Sequence, residues 1–169
     1  MNPILSKWNR AENIEAVAAM LACCGARSWA EGMAAARPIY SEDELAATAN
    51  RIWASMDEVD WLEAFACHPR IGARKAEPDQ SASARWSQQE QASTACAEIA
   101  VLDRLADGNR RYEERNGFTY IVCATGKSAE EMLEILTRRL ASDHAEELQE
   151  AAEQQRQILH IRLRKRLNG

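Results

Sequence analysis

Apolar positions recur at helical spacing along most of this chain and lose that period in one central stretch. Over residues 11–23, Ile14, Val17, Ala18, Leu21 and Ala22 fall on one stripe, with Gly25 just beyond as a stop. Ser28 is placed to cap a short helix ending near Arg37-Pro38. Ser41-Glu42-Asp43-Glu44 has the form of a capping box, and its helix carries Leu45, Thr48, Ile52 and Met56. Residues 57–65 read as a further helix, with Trp61, Leu62 and Phe65 apolar, delivering the chain to His68.

The period then disappears from about His68 to Trp86, a stretch holding Pro69, Gly72, Pro78, Asp79 and Gln80. Loops this long inside compact domains usually carry function or stay unstructured. Trp86 and Ser87 begin a long helix through Ala92, Ala95, Ile99, Leu102 and Leu105, expected to end near Asp107-Gly108, with residues 109–115 as a separate helical piece. Residues 117–124 alone have strand-like composition, and with no second strand to pair they predict a buried extended segment. Ser128-Ala129-Glu130-Glu131 is a second capping box, starting a helix with Met132, Leu133, Ile135, Leu136 and Leu140. Asp143 can cap the last helix, which carries Leu148, Ala151, Ala152, Ile158, Leu159 and Leu163. The expected architecture is all-α: one domain over residues 1–169, a bundle of about eight helices with one long functional loop and a short extended segment.

Composition supports this picture. At 169 residues, 46% hydrophobic and 28% charged, the chain has the make-up of a soluble globular domain, and its many Ala favour helix. With 26 acidic against 21 basic residues the net charge is −5, so nothing draws the protein generally to nucleic acid or to an anionic membrane. Cys23, Cys24, Cys67, Cys96 and Cys123 show no paired spacing and read as free thiols of a cytoplasmic protein, most of them buried. The N-terminal residues lack the apolar core of a signal peptide, no run approaches the roughly 20 apolar residues of a membrane span, and the last three residues are not a Ser-Lys-Leu address.

Candidate chemistry centres on His68. It lies at a helix end before a proline, and histidine titrates near neutrality, so it can hold or give a proton. A helix C-terminus also welcomes a cationic histidine for electrostatic reasons alone, and both readings stand at this point. His144, at a helix start, and His160, among charged residues of the last helix, read as solvated or structural. Ser87-Gln88-Gln89-Glu90 is a capping box in its own right, yet a helix start also offers N–H groups to an anionic ligand, and the Gln91 amide can donate and accept. No paired-histidine metal motif is present, and no lysine sits in an apolar setting suited to a Schiff base. Gly126-Lys127-Ser128 echoes the end of a phosphate loop, but the upstream glycine is missing and Ile121 stands in its place.

Taken together, Phe65-Ala66-Cys67-His68-Pro69-Arg70-Ile71-Gly72, Trp86-Ser87-Gln88-Gln89-Glu90-Gln91, Asn109-Arg110-Arg111-Tyr112 and the run from Gly117 to Ser128 resemble the 2-oxo-4-hydroxy-4-carboxy-5-ureidoimidazoline (OHCU) decarboxylases, in order and over nearly the whole chain. That resemblance implies an all-α, cofactor-free, homodimeric lyase of uric acid (purine) catabolism that converts OHCU to (S)-allantoin and CO2. It implies His68 as the catalytic acid and Glu90 as its carboxylate partner. Pro69, Ser87, Gln88, Gln89, Glu90 and Gln91, with the backbone of Tyr120, Ile121, Val122, Cys123 and Ala124, match the substrate-binding segments. One departure is Asn116, where the family usually has Phe before the glycine of an Arg-Phe-Gly-Phe block. Asn tolerates turn geometry, so the fold is expected to survive, with neighbouring packing or a pocket wall loosened. Two other classes fit parts of the pattern. A non-catalytic helical interaction protein would explain the amphipathic helices but not the flanking of one loop by His68 and Glu90. A thiol enzyme using Cys67 would need sequence neighbours at a helix end to point the same way.

Overall fold

A computed structural model describes residues 2–71 and 99–169. Among them are eight helices and no strand: α1 (Pro3–Arg10), α2 (Asn13–Cys24), α3 (Arg27–Ala35), α4 (Glu42–Ala54), α5 (Glu58–Ala66), α6 (Ile99–Asn116), α7 (Ala129–Arg139) and α8 (His144–Asn168). The architecture is all-α, and among the described residues no helix is long and apolar enough to cross a membrane. The chain forms two compact units, Met1–Ala64 with Arg156–Gly169, and Phe65–Gln155.

In the first unit the helix ends are set by local side chains. Asn2 Oδ1 accepts from Ile4 N at 2.9 Å ahead of Pro3, the first helical residue of α1. Ser41 Oγ accepts from Glu44 N at 3.1 Å, and the Glu44 carboxylate reaches back to Tyr40 N at 2.7 Å. Gly25 follows α2, returning its N–H to Leu21 O at 3.1 Å.

Two expectations fail here. The buried face of α2 is Ala16, Val17, Met20, Cys23 and Cys24, while Ile14 is 80% exposed. An Ala-rich helix carries a weak stripe, and the bulky Met20 and the thiols decide which side turns inward. Ser28 does not cap α3, which starts one residue earlier; the Arg27 N–H is taken by the Glu63 carboxylate at 2.9 Å. Trp29 is fully buried in this unit, its indole donating to Ala49 O at 3.2 Å. His160 is structural: its Nε2 is bonded to Asn50 Oδ1 at 2.7 Å.

In the second unit α6 runs unbroken through the expected stop at Asp107-Gly108. Gly108 is there for close packing. A Cβ on it would stand 2.5 Å from Leu136 Cδ2 of α7, so the glycine lets the two helices approach. Gly117 (φ +77°) ends α6, its N–H returning to Glu113 O at 2.8 Å. Residues 119–124 lie in no helix or strand, and Tyr120 through Ala124 are buried, as their composition predicts. The Ser128 box is complete: Glu131 N donates to Ser128 Oγ at 3.1 Å and Ser128 N to the Glu131 carboxylate at 2.6 Å. Asp143 caps α8 through Glu146 N at 2.8 Å.

Candidate active site

His68 closes α5, its backbone N–H bonded to Phe65 O at 3.1 Å, and it is half-buried. The two residues after Pro69 are gripped from α6. The Arg70 guanidinium makes a two-pronged ion pair with Glu113, Nε to Oε1 at 2.7 Å and Nη2 to Oε2 at 2.6 Å. That pairing, with a smaller contribution from the Thr119 side chain, holds the Glu113 carboxyl below the ordinary carboxylate range. One turn earlier on α6, the buried Asn109 amide donates to Ile71 O at 2.8 Å and to Leu105 O at 2.9 Å.

The same helix carries an aromatic cluster that brings the His68 segment and the extended segment together. The Phe118 ring lies 5.4 Å from Phe65, three residues before His68, and 5.7 Å from Tyr112; Tyr112 is 5.3 Å from Tyr120. His144, exposed at the start of α8, sits 5.9 Å from Phe118.

Beneath the extended segment lies a buried charged network. Arg139, 2% exposed, donates through Nε to Glu147 Oε2 at 2.8 Å, through Nη1 to Ile121 O at 2.6 Å and through Nη2 to the Tyr112 hydroxyl at 3.2 Å. Its guanidinium lies 4.9 Å from the centre of the Tyr120 ring. Tyr112 donates its hydroxyl to Glu147 at 2.6 Å. Burial, opposed by the Arg139 charge, pushes both tyrosine hydroxyls well above their usual range, so they stay neutral donors. Burial also works against the Arg139 charge, but the Glu147 carboxylate bonded to it sustains that charge, and its pKa is raised.

These contacts narrow what the extended segment offers a ligand. Ile121 O is held by Arg139, Cys123 N by Gln154 Oε1 at 2.8 Å, and Cys123 O by Lys127 Nζ at 2.8 Å. Among the described residues none bonds the N–H or C=O of Val122. Ser87, Gln88, Gln89, Glu90 and Gln91 lie outside the described residues.

Asn109, Glu113, Arg139 and Glu147 escaped the reading of the chain as chemistry, yet a signal existed. Arg139 continues the buried stripe of Met132 and Leu136, and Glu147 begins that of Ala151 and Gln155. A charge on an apolar stripe marks a built pairing, because burying it alone is costly. Asn116, at the family's aromatic position, is buried at the last turn of α6, with its amide on Tyr112 O at 3.2 Å. Its Oδ1, like that of Asn109, has no hydrogen-bond partner among the described residues, a burden of about 1–3 kcal/mol each.

The sequence and the fold are both similar to those of known proteins. The sequence profile of the OHCU decarboxylases matches residues 9–164. A bifunctional protein of uric acid degradation from Arabidopsis thaliana is 37% identical over 145 residues, 85% of this chain, and the chain spans 44% of that relative's length. An OHCU decarboxylase from Amia calva is 28% identical over 127 residues, 75% of this chain and 73% of its own. A crystal structure of OHCU decarboxylase in the presence of (S)-allantoin superposes with a TM-score of 0.78 at 30% identity, covering 94% of this chain and all of the other. A structure of (S)-allantoin synthase shares the fold, with a TM-score of 0.69 at 18% identity over 96% of this chain and 53% of its own.

Proposed function

The chain belongs to the OHCU decarboxylase family, and on that premise we propose that it removes CO2 from OHCU to give (S)-allantoin, with His68 as the acid. The observation that carries this reading is geometric. His68-Pro69 is followed by two residues pinned to α6, and the same helix and aromatic cluster hold the extended segment of residues 118–124.

The substrate supplies its own electron sink, a C=N bond beside the carbon that bears the carboxylate. As the bond to CO2 breaks, its electron pair forms a new C=C bond and the C=N pair moves onto nitrogen, which takes up a proton from water. The hydroxyl-bearing carbon then becomes the ring carbonyl, its proton leaving as another is placed on the carbon that carries the ureido group. No separate cofactor is required by this chemistry. The protein's work is to align the breaking bond with the C=N system and to deliver the proton to one face.

His68 places that proton, with Glu90 as its carboxylate partner at the substrate. Pro69, Ser87, Gln88, Gln89 and Gln91 line the site. Within residues 120–124, Val122 is best suited to read the ring and ureido edges by its backbone, since Ile121 O and Cys123 are engaged elsewhere. The active protein is a cytoplasmic homodimer in this reading, consistent with five cysteines that show no paired spacing.

The test is substitution under saturating OHCU. His68→Ala is expected to abolish turnover, a loss of about a hundredfold or more, with helicity unchanged in far-UV circular dichroism, while Cys67→Ser retains it. Glu90→Gln, which removes the charge and keeps the side chain's shape, probes the carboxylate more cleanly than Glu90→Ala. Undiminished turnover in His68→Ala would remove His68 from the role.

A further inference from the structure

The Asn109-Arg110-Arg111-Tyr112 block has no place in the proposed chemistry, although it sits on the helix that faces both segments of the site. We propose that Asn109 and Glu113 are positioning residues that set His68 in register with the extended segment. This rests on the decarboxylase reading for the identity of the site, but its structural content stands apart from it.

Asn109 and Glu113 are one turn apart on α6 and therefore share a face. They hold consecutive residues: Glu113 takes both prongs of Arg70, and Asn109 takes the Ile71 carbonyl. Tyr112, next to Glu113 on α6, packs its ring 5.7 Å from Phe118 and 5.3 Å from Tyr120, the residues on either side of Thr119. α6 thus grips the residues just after His68-Pro69 and packs on those entering residues 120–124.

Asn109 is a poor choice for stability alone. It is 1% exposed, and its Oδ1 has no hydrogen-bond partner among the described residues. A leucine of similar size would fill the position without an orphaned acceptor, so the amide is explained by the carbonyl it grips. Arg70 and Glu113 are a partly exposed pair that adds little to stability but holds a defined two-pronged geometry. Displacing a reacting group by about 1 Å can cost on the order of a hundredfold in rate.

The experiment compares wild type, Asn109→Leu, Glu113→Gln and the control Glu114→Gln, whose native side chain meets Arg110 on the outer face. Three readouts are taken: the urea midpoint, kcat and KM for OHCU, and the Cε1–H proton resonance of His68, assigned by His68→Ala. Folded Asn109→Leu is expected to lose about tenfold or more in kcat with a smaller change in KM, and to shift the His68 resonance. Glu113→Gln, which keeps shape and one acceptor, should move both in the same direction by less, and Glu114→Gln should move neither. The clamp is overturned if Asn109→Leu and Glu113→Gln keep wild-type kcat and an unmoved His68 resonance, or if loss of folded fraction alone accounts for their kcat. Should wild type fail to turn over OHCU, the proposed function falls, and the His68 resonance alone decides the clamp.

Discussion

Glu113 and Glu147 are both carboxylates paired with arginine, and their surroundings give them different behaviour. Glu147 and Arg139 are each about 2% exposed in their side chains, so removing either would strand a buried charge, at a cost of about 3–5 kcal/mol. Glu113 is partly exposed and opposes a largely exposed Arg70, so its pairing is screened and reports on pH instead. Its folded pKa lies below the ordinary carboxylate value of 4.5, chiefly because of the hydrogen bond from Arg70. A depressed acid contributes stability that is fully present above its unfolded pKa and is lost as pH falls through the folded one. The melting temperature of wild type is therefore expected to exceed that of Glu113→Gln at neutral pH, the gap closing as pH drops below 4.5. A gap that is constant with pH would show that the carboxylate charge is not what Arg70 needs. At this scale the place of His68 at a helix end was legible from the apolar pattern before it and the proline after it. The partners of Asn109 and Arg139 were not, because period and composition cannot say which carbonyl a buried amide or guanidinium will meet.

At the scale of elements, local rules and tertiary packing divide the outcome. The starts of α4, α7 and α8 follow from Ser41, Ser128 and Asp143, because a cap is a bond between near neighbours in the chain. The start of α3 and the length of α6 do not, because Glu63 and Leu136 act from far along the sequence. Gly108 puts the two kinds of rule in opposition. Helix propensity alone favours Ala over Gly by about 1 kcal/mol. The 2.5 Å approach of Leu136 demands a shift of α7 or of that side chain, with overpacking costs of about 1–3 kcal/mol. Gly108→Ala is expected to lower stability in urea unfolding by about 1–2 kcal/mol net. A variant more stable than wild type would show that Leu136 moves aside freely and that the glycine has no packing role.

At the scale of the whole molecule, the all-α class was legible because nearly every element has an apolar stripe of helical period. The segment of residues 118–124 was legible because it lacks one: Phe118, Tyr120, Ile121 and Val122 are buried, with no strand among the described residues to pair with. The grip of α6 on Arg70 and Ile71 joins residues about 40 apart in the chain, and no local pattern records it. The family resemblance could indicate that His68 and residues 120–124 act together, and the contacts of α6 supply a physical means. What the protein does with that arrangement is tested most directly by its product. OHCU is generated in place from urate with the oxidase and hydrolase, and the circular dichroism of the allantoin is followed with and without the protein. Loss of OHCU faster than the spontaneous reaction, with (S)-allantoin in excess, is the predicted result; racemic allantoin formed at the spontaneous rate would contradict it.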